Sequence, residues 1–371
     1  MATGASTNPT FAHLKSLLYK RARRLAELDE MGDEPANKVT VAHAQCWLLI
    51  ANIEAQDALF SRAFISLGKS VRYAQMLRLH QLDRGKPEPS LFSQYQPPQD
   101  LTELEECRRT WWVICHSDCL TAATSGLPAA IDFGQIYTFL PVSDESFEHE
   151  REEPATTIQE ALQPHSPLRS SLATRILAAY AFSQASALNS QANGYPNPAR
   201  NSANGEYWSK QREIENGLLS LIVRLPPCLQ LPQSSACHQA IFVNIMIHTA
   251  IMVLHKTAIQ QARGQEGFEA EYHRRESRSR MLAAAAQVLA VFRLTEDIMA
   301  VVKNPIQDYS AYIAAVVFLE DVVTEGNVQS KNNLSFLLKV LRTVGQHHAV
   351  GSMLAAQLTA QLEGLDIQLS S

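Results

Sequence analysis

The sequence has few of the signals that build a β-sheet. Period-two alternation is rare and no Asn-Gly hairpin joins two apolar runs; apolar residues instead recur every three or four positions over long segments. A large excess of one charge is also missing. The 32 Lys and Arg stand against 37 Asp and Glu, a formal charge of −5, so the surface as a whole is not a nucleic-acid footprint, although a local basic patch remains open. No apolar run reaches the roughly 20 residues that span a membrane. The best stretch, Ala240 to Leu254, is broken by Asn244 and His248, so the chain reads as soluble and no membrane partner is expected. No secretory leader opens it, and the six cysteines (Cys46, Cys107, Cys115, Cys119, Cys228, Cys237) are scattered, which argues for reduced intracellular thiols over a disulfide framework.

Catalytic and metal patterns fail on spacing. Gly68-Lys69-Ser70 imitates the end of a phosphate-binding loop, but Ala63 stands where that loop needs a glycine and the surrounding spacing is helical. His149-Glu150 begins a zinc-protease pattern whose second histidine would fall on Glu153. His248 and His255 share a helix face with Ile241, Ile245, Met252 and Ile259, which favours core or interface histidines over ligands. Cys115 and Cys119 sit one turn apart with no second close pair to complete a zinc site, so they read as core thiols. No catalytic constellation is expected, and the chain is not read as an enzyme.

The fold class expected is all-α, a large multi-helix bundle of about eleven helices. They fall near 9–31, 40–53, 56–81, 102–125, 168–191, 205–224, 235–263, 269–303, 306–325, 330–345 and 348–364, separated by Gly, Pro and Asn clusters. Two polar stretches, 143–166 and 189–204, lack apolar periodicity and read as mobile surface loops. The organisation expected is an N-terminal part over 1–142, a mobile loop over 143–167 and a C-terminal helical part over 168–371. Grooves between helices, lined by residues such as Phe242, Met246, Met252 and Phe318, are candidate small-molecule sites.

Two basic runs are present. Lys20, Arg21, Arg23 and Arg24 form a candidate import or phosphate-contacting patch, and His273 to Arg280 is a second; a solvated helix face is the plainer reading of each.

The densest stretch is Glu105 to Asp132, EECRRTWWVICHSDCLTAATSGLPAAID. Thr102 and Glu105 have capping-box spacing, and Glu105 and Arg109 are four apart with the acid first. Trp111 and Trp112 differ by about 100° of helix rotation, so the pair is expected to face two neighbouring helices. Asp118 lies on the buried side and needs a basic partner, Arg108, Arg109 or Arg72, or backbone amides. Gly126-Leu127-Pro128 then stops the helix.

Read together, Ser70 to His80 (SVRYAQMLRLH, with Arg72), Glu105-Glu106-Cys107-Arg108-Arg109-Thr110-Trp111-Trp112, Asp118, Gly126-Leu127-Pro128, Ile131 and Leu140-Pro141 resemble the signature of the fungal-specific transcription factor domain. This is the all-helical middle homology region of fungal zinc-cluster regulators. The resemblance implies a regulatory scaffold whose structural residues are Arg72, His80, Glu105, Arg108, Arg109, Trp111, Trp112, Asp118, Gly126 and Pro128. It also implies a nuclear location and control of metabolic genes, often those of secondary metabolism. Partners would be other transcription regulators or a DNA-binding protein, with a small-molecule effector as the alternative reading.

Two departures stand out. Family members often carry glycine where Arg78 stands and arginine where Cys119 follows the aspartate. The family's zinc-binding DNA reader, with cysteines in closely spaced sets, is absent from this chain, so no cofactor is expected here and specific DNA binding by the chain alone is expected to be weak.

Overall fold

A computed structural model of the protein describes residues 13–32, 39–85, 96–192, 200–263, 265–295, 298 and 304–369. Thirteen helices, eleven of them seven residues or longer, and no strand occur among the described residues. They are α1 Lys15–Glu30, α2 Val41–Gln56, α3 Phe60–Met76, α4 Leu101–Ser125, α5 Asp144–Glu148, α6 Ile158–Ala161, α7 Ser171–Ala192, α8 Arg200–Val223, α9 His238–Ala262, α10 Phe268–Leu294, α11 Pro305–Glu325, α12 Val328–Gly345 and α13 Ala349–Gly364.

The chain divides into two compact units: Met1–Thr121 with Pro128–Ala161, and Ala122–Leu127 with Leu162–Ser371. In the first, α2 and α3 form an antiparallel-type hairpin joined by three residues, with α1 laid on α2. Trp47, Ile50 and Ile53 of α2 bury against Tyr19 of α1. In the second, α9 is the hub, packed by α7, α8, α10 and α11, while α12 and α13 pack on α11. By length and composition alone α9 could cross a membrane, yet 78% of its apolar window is buried inside this unit. Its hydropathy is therefore that of a core helix.

Local sequence explains the boundaries. Thr40 starts α2 with a capping box that uses the His43 ring in place of a carboxylate. Asn304 and Pro305 open α11, Gly326 closes it in the left-handed region, and Asn327 at once caps α12. Helix α4 starts one step earlier than expected. Asp100 Oδ1 accepts the Glu103 amide at 2.8 Å and Glu103 reaches back to Gln99, whereas Thr102 donates to Glu150 and Glu105 is buried. The Thr102–Glu105 capping box is thus replaced, because Glu105 is drawn inward by its arginine partners.

Some expected elements differ in extent. The 56–81 helix breaks at both ends, at Ala58 and Arg78, which adopt positive φ. Residues 143–161, expected as loop, carry α5 and α6, capped by Ser143 and by the reciprocal Thr157–Glu160 pair. One-turn helices are too short to show periodicity. The polar run 189–204 is helical at both ends, with 193–199 outside the described residues; the end of the expected 269–303 helix lies largely outside them too.

Candidate regulatory site

The first unit is organised by α4 and the extended chain that returns over it. At Gly126, φ is +72° and the amide donates to Ala122 O at 3.1 Å, the left-handed stop that glycine adopts without strain. The chain then turns back, and Asp118 accepts the amides of Ala130 (2.9 Å) and Ile131 (3.0 Å) on one carboxylate oxygen. The partner of Asp118 is therefore backbone, not Arg72, Arg108 or Arg109. Burial raises its carboxyl, and the two amides pull it partly back.

Residues 136–143 form a strap tied to both the turn after α3 and α4. Tyr137 N donates to His80 O (2.8 Å), Thr138 Oγ1 to Leu79 O (2.6 Å), and Phe139 N to Asp83 (2.8 Å). Arg108 grips the same Asp83 with two nitrogens, at 2.5 and 3.1 Å. Arg109 binds Glu105 (3.1 Å), Asp144 (2.8 Å) and Val142 O (3.1 Å), while Val142 N returns a bond to Glu105 (3.0 Å). Two adjacent arginines thus clamp the strap at two points. The tandem tryptophans serve the same purpose. Trp112 donates to Phe139 O at 2.6 Å under the strap, while Trp111 lies against the His80 ring, 5.6 Å between centroids. Trp112 accordingly faces the returning chain rather than a second helix.

Arg78 has φ of 56°. A left-handed turn there explains why glycine suits the position in the resembling family. Cys119 is buried at 2% exposure, and no cationic partner for Asp118 is needed.

Arg72 does not join this latch. On α3 it lines a cleft of about 660 Å³ with Asp29 and Glu30 of α1, Val39 and His43 at the start of α2, and Gly68, Lys69, Tyr73 and Met76 of α3. His43 Nδ1 accepts the Thr40 amide, so its Nε2–H donates a hydrogen bond to Asp29 at 2.7 Å. Lys69 pairs with Glu30 at 2.6 Å and stands 3.9 Å above the Trp47 ring. Tyr73 donates to Glu30 at 3.1 Å and stacks on His43; burial, then Glu30, pushes its phenol up to about 12. Sequence reasoning missed this constellation. The visible signal was Lys69, Arg72, Tyr73 and Met76 at helical spacing beside a mid-helix glycine, a stripe that is neither fully apolar nor fully charged.

Of the first basic run, Lys20, Arg21 and Arg24 are exposed, but Arg23 turns inward. It binds the fully buried carboxylate of Glu54, which Tyr19 (2.6 Å) and Ser66 (2.7 Å) also contact. The second run is largely neutralised: Arg274 by Glu271, Arg278 by Asp321 and Glu325, and Arg280 by Glu215 and Glu276.

Cys107, Cys115 and Cys119 are buried, and burial pushes Cys107 to about 11 and Cys115 well above its ordinary value, so both hold their protons. Among the described residues no group of three or more His, Cys, Asp or Glu could hold a metal. Gly68-Lys69-Ser70 lies inside α3, with Ser70 bonded to Ala44 O at 2.7 Å. Phe242, Met246, Met252 and Phe318 are buried in the core of the second unit.

Comparison with known proteins yields fungal transcription factors. Over 147 residues, 40% of the chain, it is 30% identical to the pigment biosynthesis transcriptional activator of Monascus ruber. Over 138 residues, 37% of the chain, it is 30% identical to a citrinin biosynthesis transcriptional activator of the same organism. Over 229 residues, 61% of the chain, it is 28% identical to the tropolone cluster transcription factor of Talaromyces stipitatus. The matches cover 26% of the length of the first two relatives and 38% of the third. No family model matches the chain, and no solved structure does.

Proposed function

We propose that this chain is a helical regulatory region of a fungal transcription regulator that controls a biosynthetic gene cluster, and that it performs no catalysis itself. The observation that carries the reading is the relatedness to cluster-specific transcription factors over as much as 61% of the chain. Supporting it, the residues through which the sequence resembles the fungal regulatory domain serve as structure. Glu105, Arg108, Arg109 and Trp112 hold the strap, Asp118 holds the returning chain at Ala130 and Ile131, His80 and Trp111 pack together, Gly126 with Pro128 turns the chain, and Arg72 lines the cleft. A scaffold built from buried clamps positions surfaces; it does not present reactive groups.

On this reading the chain acts in the nucleus, through other regulators or a DNA-binding partner, and needs no cofactor of its own. Lys20, Arg21 and Arg24 form the exposed basic group available for import or phosphate contact. Sequence-specific DNA binding by this chain alone is weak. A test is to tether the 371-residue chain to a heterologous DNA-binding domain and measure a reporter downstream of its site. A change of severalfold in either direction is expected; an unchanged reporter with stable, nuclear fusion protein would refute the reading. A gel shift with genomic promoter fragments should show only binding that salt abolishes.

A second role, sensing a small molecule, is favoured by the cleft between α1, α2 and α3.

A further inference from the structure

We propose that this cleft binds a planar aromatic carboxylic acid, with the carboxylate on Arg72 and the ring against the Tyr73–His43 pair. Its volume, about 660 Å³, lies in the range of small-molecule sites. The polar groups on its walls are already assigned, and the assignments leave one vacancy. Asp29 accepts a hydrogen bond from His43, and Glu30 pairs with Lys69 and accepts from the Tyr73 hydroxyl, so both acids are engaged and a basic ligand finds no free partner. Arg72 is exposed and donates to the neutral amide oxygen of Gln75 at 2.8 Å; no carboxylate pairs with it among the described residues. Its planar fork matches a carboxylate, and a single uncommitted cation suits a monoanion better than a polyphosphate.

The stacked rings of Tyr73 and His43, 5.7 Å between centroids and 29° apart, provide a flat wall, with Met76 as an adaptable edge. Gly68 supplies the second argument. It lies in the middle of α3, where glycine weakens a helix, with ordinary helical φ, and a Cβ added there meets nothing within 4 Å. Neither backbone nor packing requires glycine; what its bareness preserves is the open space over the cleft.

Use of that occupancy as a signal rests on the regulatory reading above. Binding itself is measured on the purified 371-residue chain, so its failure leaves the tethered-reporter result standing, and the reverse. The probes are 2-naphthoate and its neutral isostere 2-naphthalenemethanol, titrated by calorimetry. The acid should bind the native chain at least tenfold more tightly than the alcohol, and Arg72→Gln should abolish that preference while leaving the alcohol unchanged. Gly68→Leu should remove binding of both without lowering Tm, since leucine is the better helix former; a merely structural glycine would show the opposite. Equal affinity for acid and alcohol, no binding of the acid at millimolar concentration, or full binding in Gly68→Leu would each overturn the proposal.

Discussion

Asp118 holds Ile131 by its backbone. The carboxylate oxygen lies 3.0 Å from the Ile131 amide and 2.9 Å from that of Ala130, so a side chain of α4 fixes the chain that returns after the helix has ended. Asp118→Ala leaves those amides without their acceptor and should cost about 2–4 kcal/mol in urea unfolding, from two lost bonds to a charged group. Asp118→Asn should lie between, because the amide keeps one acceptor. A loss below about 1 kcal/mol for the alanine variant would mean that the arginine clamps further on hold the returning chain without Asp118.

Arg78 occupies the left-handed region without the freedom of glycine. Arg78→Gly should therefore leave stability unchanged or raise it by about 0.5–1 kcal/mol, the reverse of what glycine does in ordinary helical backbone. A loss above 1 kcal/mol would show that the arginine's own contacts outweigh its backbone strain.

Trp111 is 1% exposed and packs on His80. Truncation to alanine should cost about 3–5 kcal/mol, as for other large buried rings. Chemical denaturation of the variant checks this directly, and near-native stability would contradict its central place.

Arg23 and Arg24 are neighbours with different fates. Arg23→Ala withdraws the cation from buried Glu54 and should cost about 2–3 kcal/mol, since Tyr19 and Ser66 still donate to the carboxylate. Arg24→Ala, at an exposed position, should change stability by less than about 0.5 kcal/mol. Only the exposed members, Lys20, Arg21 and Arg24, can then be substituted to test nuclear import without unfolding the first unit.

The second unit should weaken in acid. Burial pushes His248 and His255 down to about 4, below the usual imidazole value of 6.5, with Glu276 opposing the shift at His255 and Glu215 standing 3.3 Å from its Nε2. With a depressed folded pKa, the unfolded chain takes up the proton first. The stability these rings contribute is complete above about pH 6.5 and drains away as pH falls toward 4, on the order of 2–3 kcal/mol each. Asp308, whose carboxyl burial raises, works in the opposite direction. The comparison is therefore made between native chain and His248→Gln/His255→Gln, whose unfolding free energy should fall less between pH 6.5 and 5. Parallel curves would show that neither histidine is buried in its neutral form.

Helices were legible where apolar spacing ran for several turns, as in α4, α9 and α11, and where punctuation was sharp, as at Gly126 and Asn304-Pro305. The short helices α5 and α6 were not, because one turn carries no period. The choice between amides and arginines for Asp118 also could not be made from spacing: both lie within reach of a helix face, and only the path of residues 128–142 brings the amides there. The same holds for Arg23, which sits in a run of cations yet faces a buried acid 31 positions away.

The sequence by itself determined an all-α chain, the stop after α4, the buried tandem tryptophans and the resemblance to fungal regulators, because each depends on residue type at short, regular separations. Tertiary structure decided which charges are spent and which are free. Arg108, Arg109, Arg23, Arg278 and Arg280 are bound to acids brought from distant positions, while Arg72, within the same signature as the clamps, faces an open cleft. A charge is available to a ligand only if the fold places no opposite charge beside it, and that juxtaposition is set by packing between helices, not by the order of residues within one.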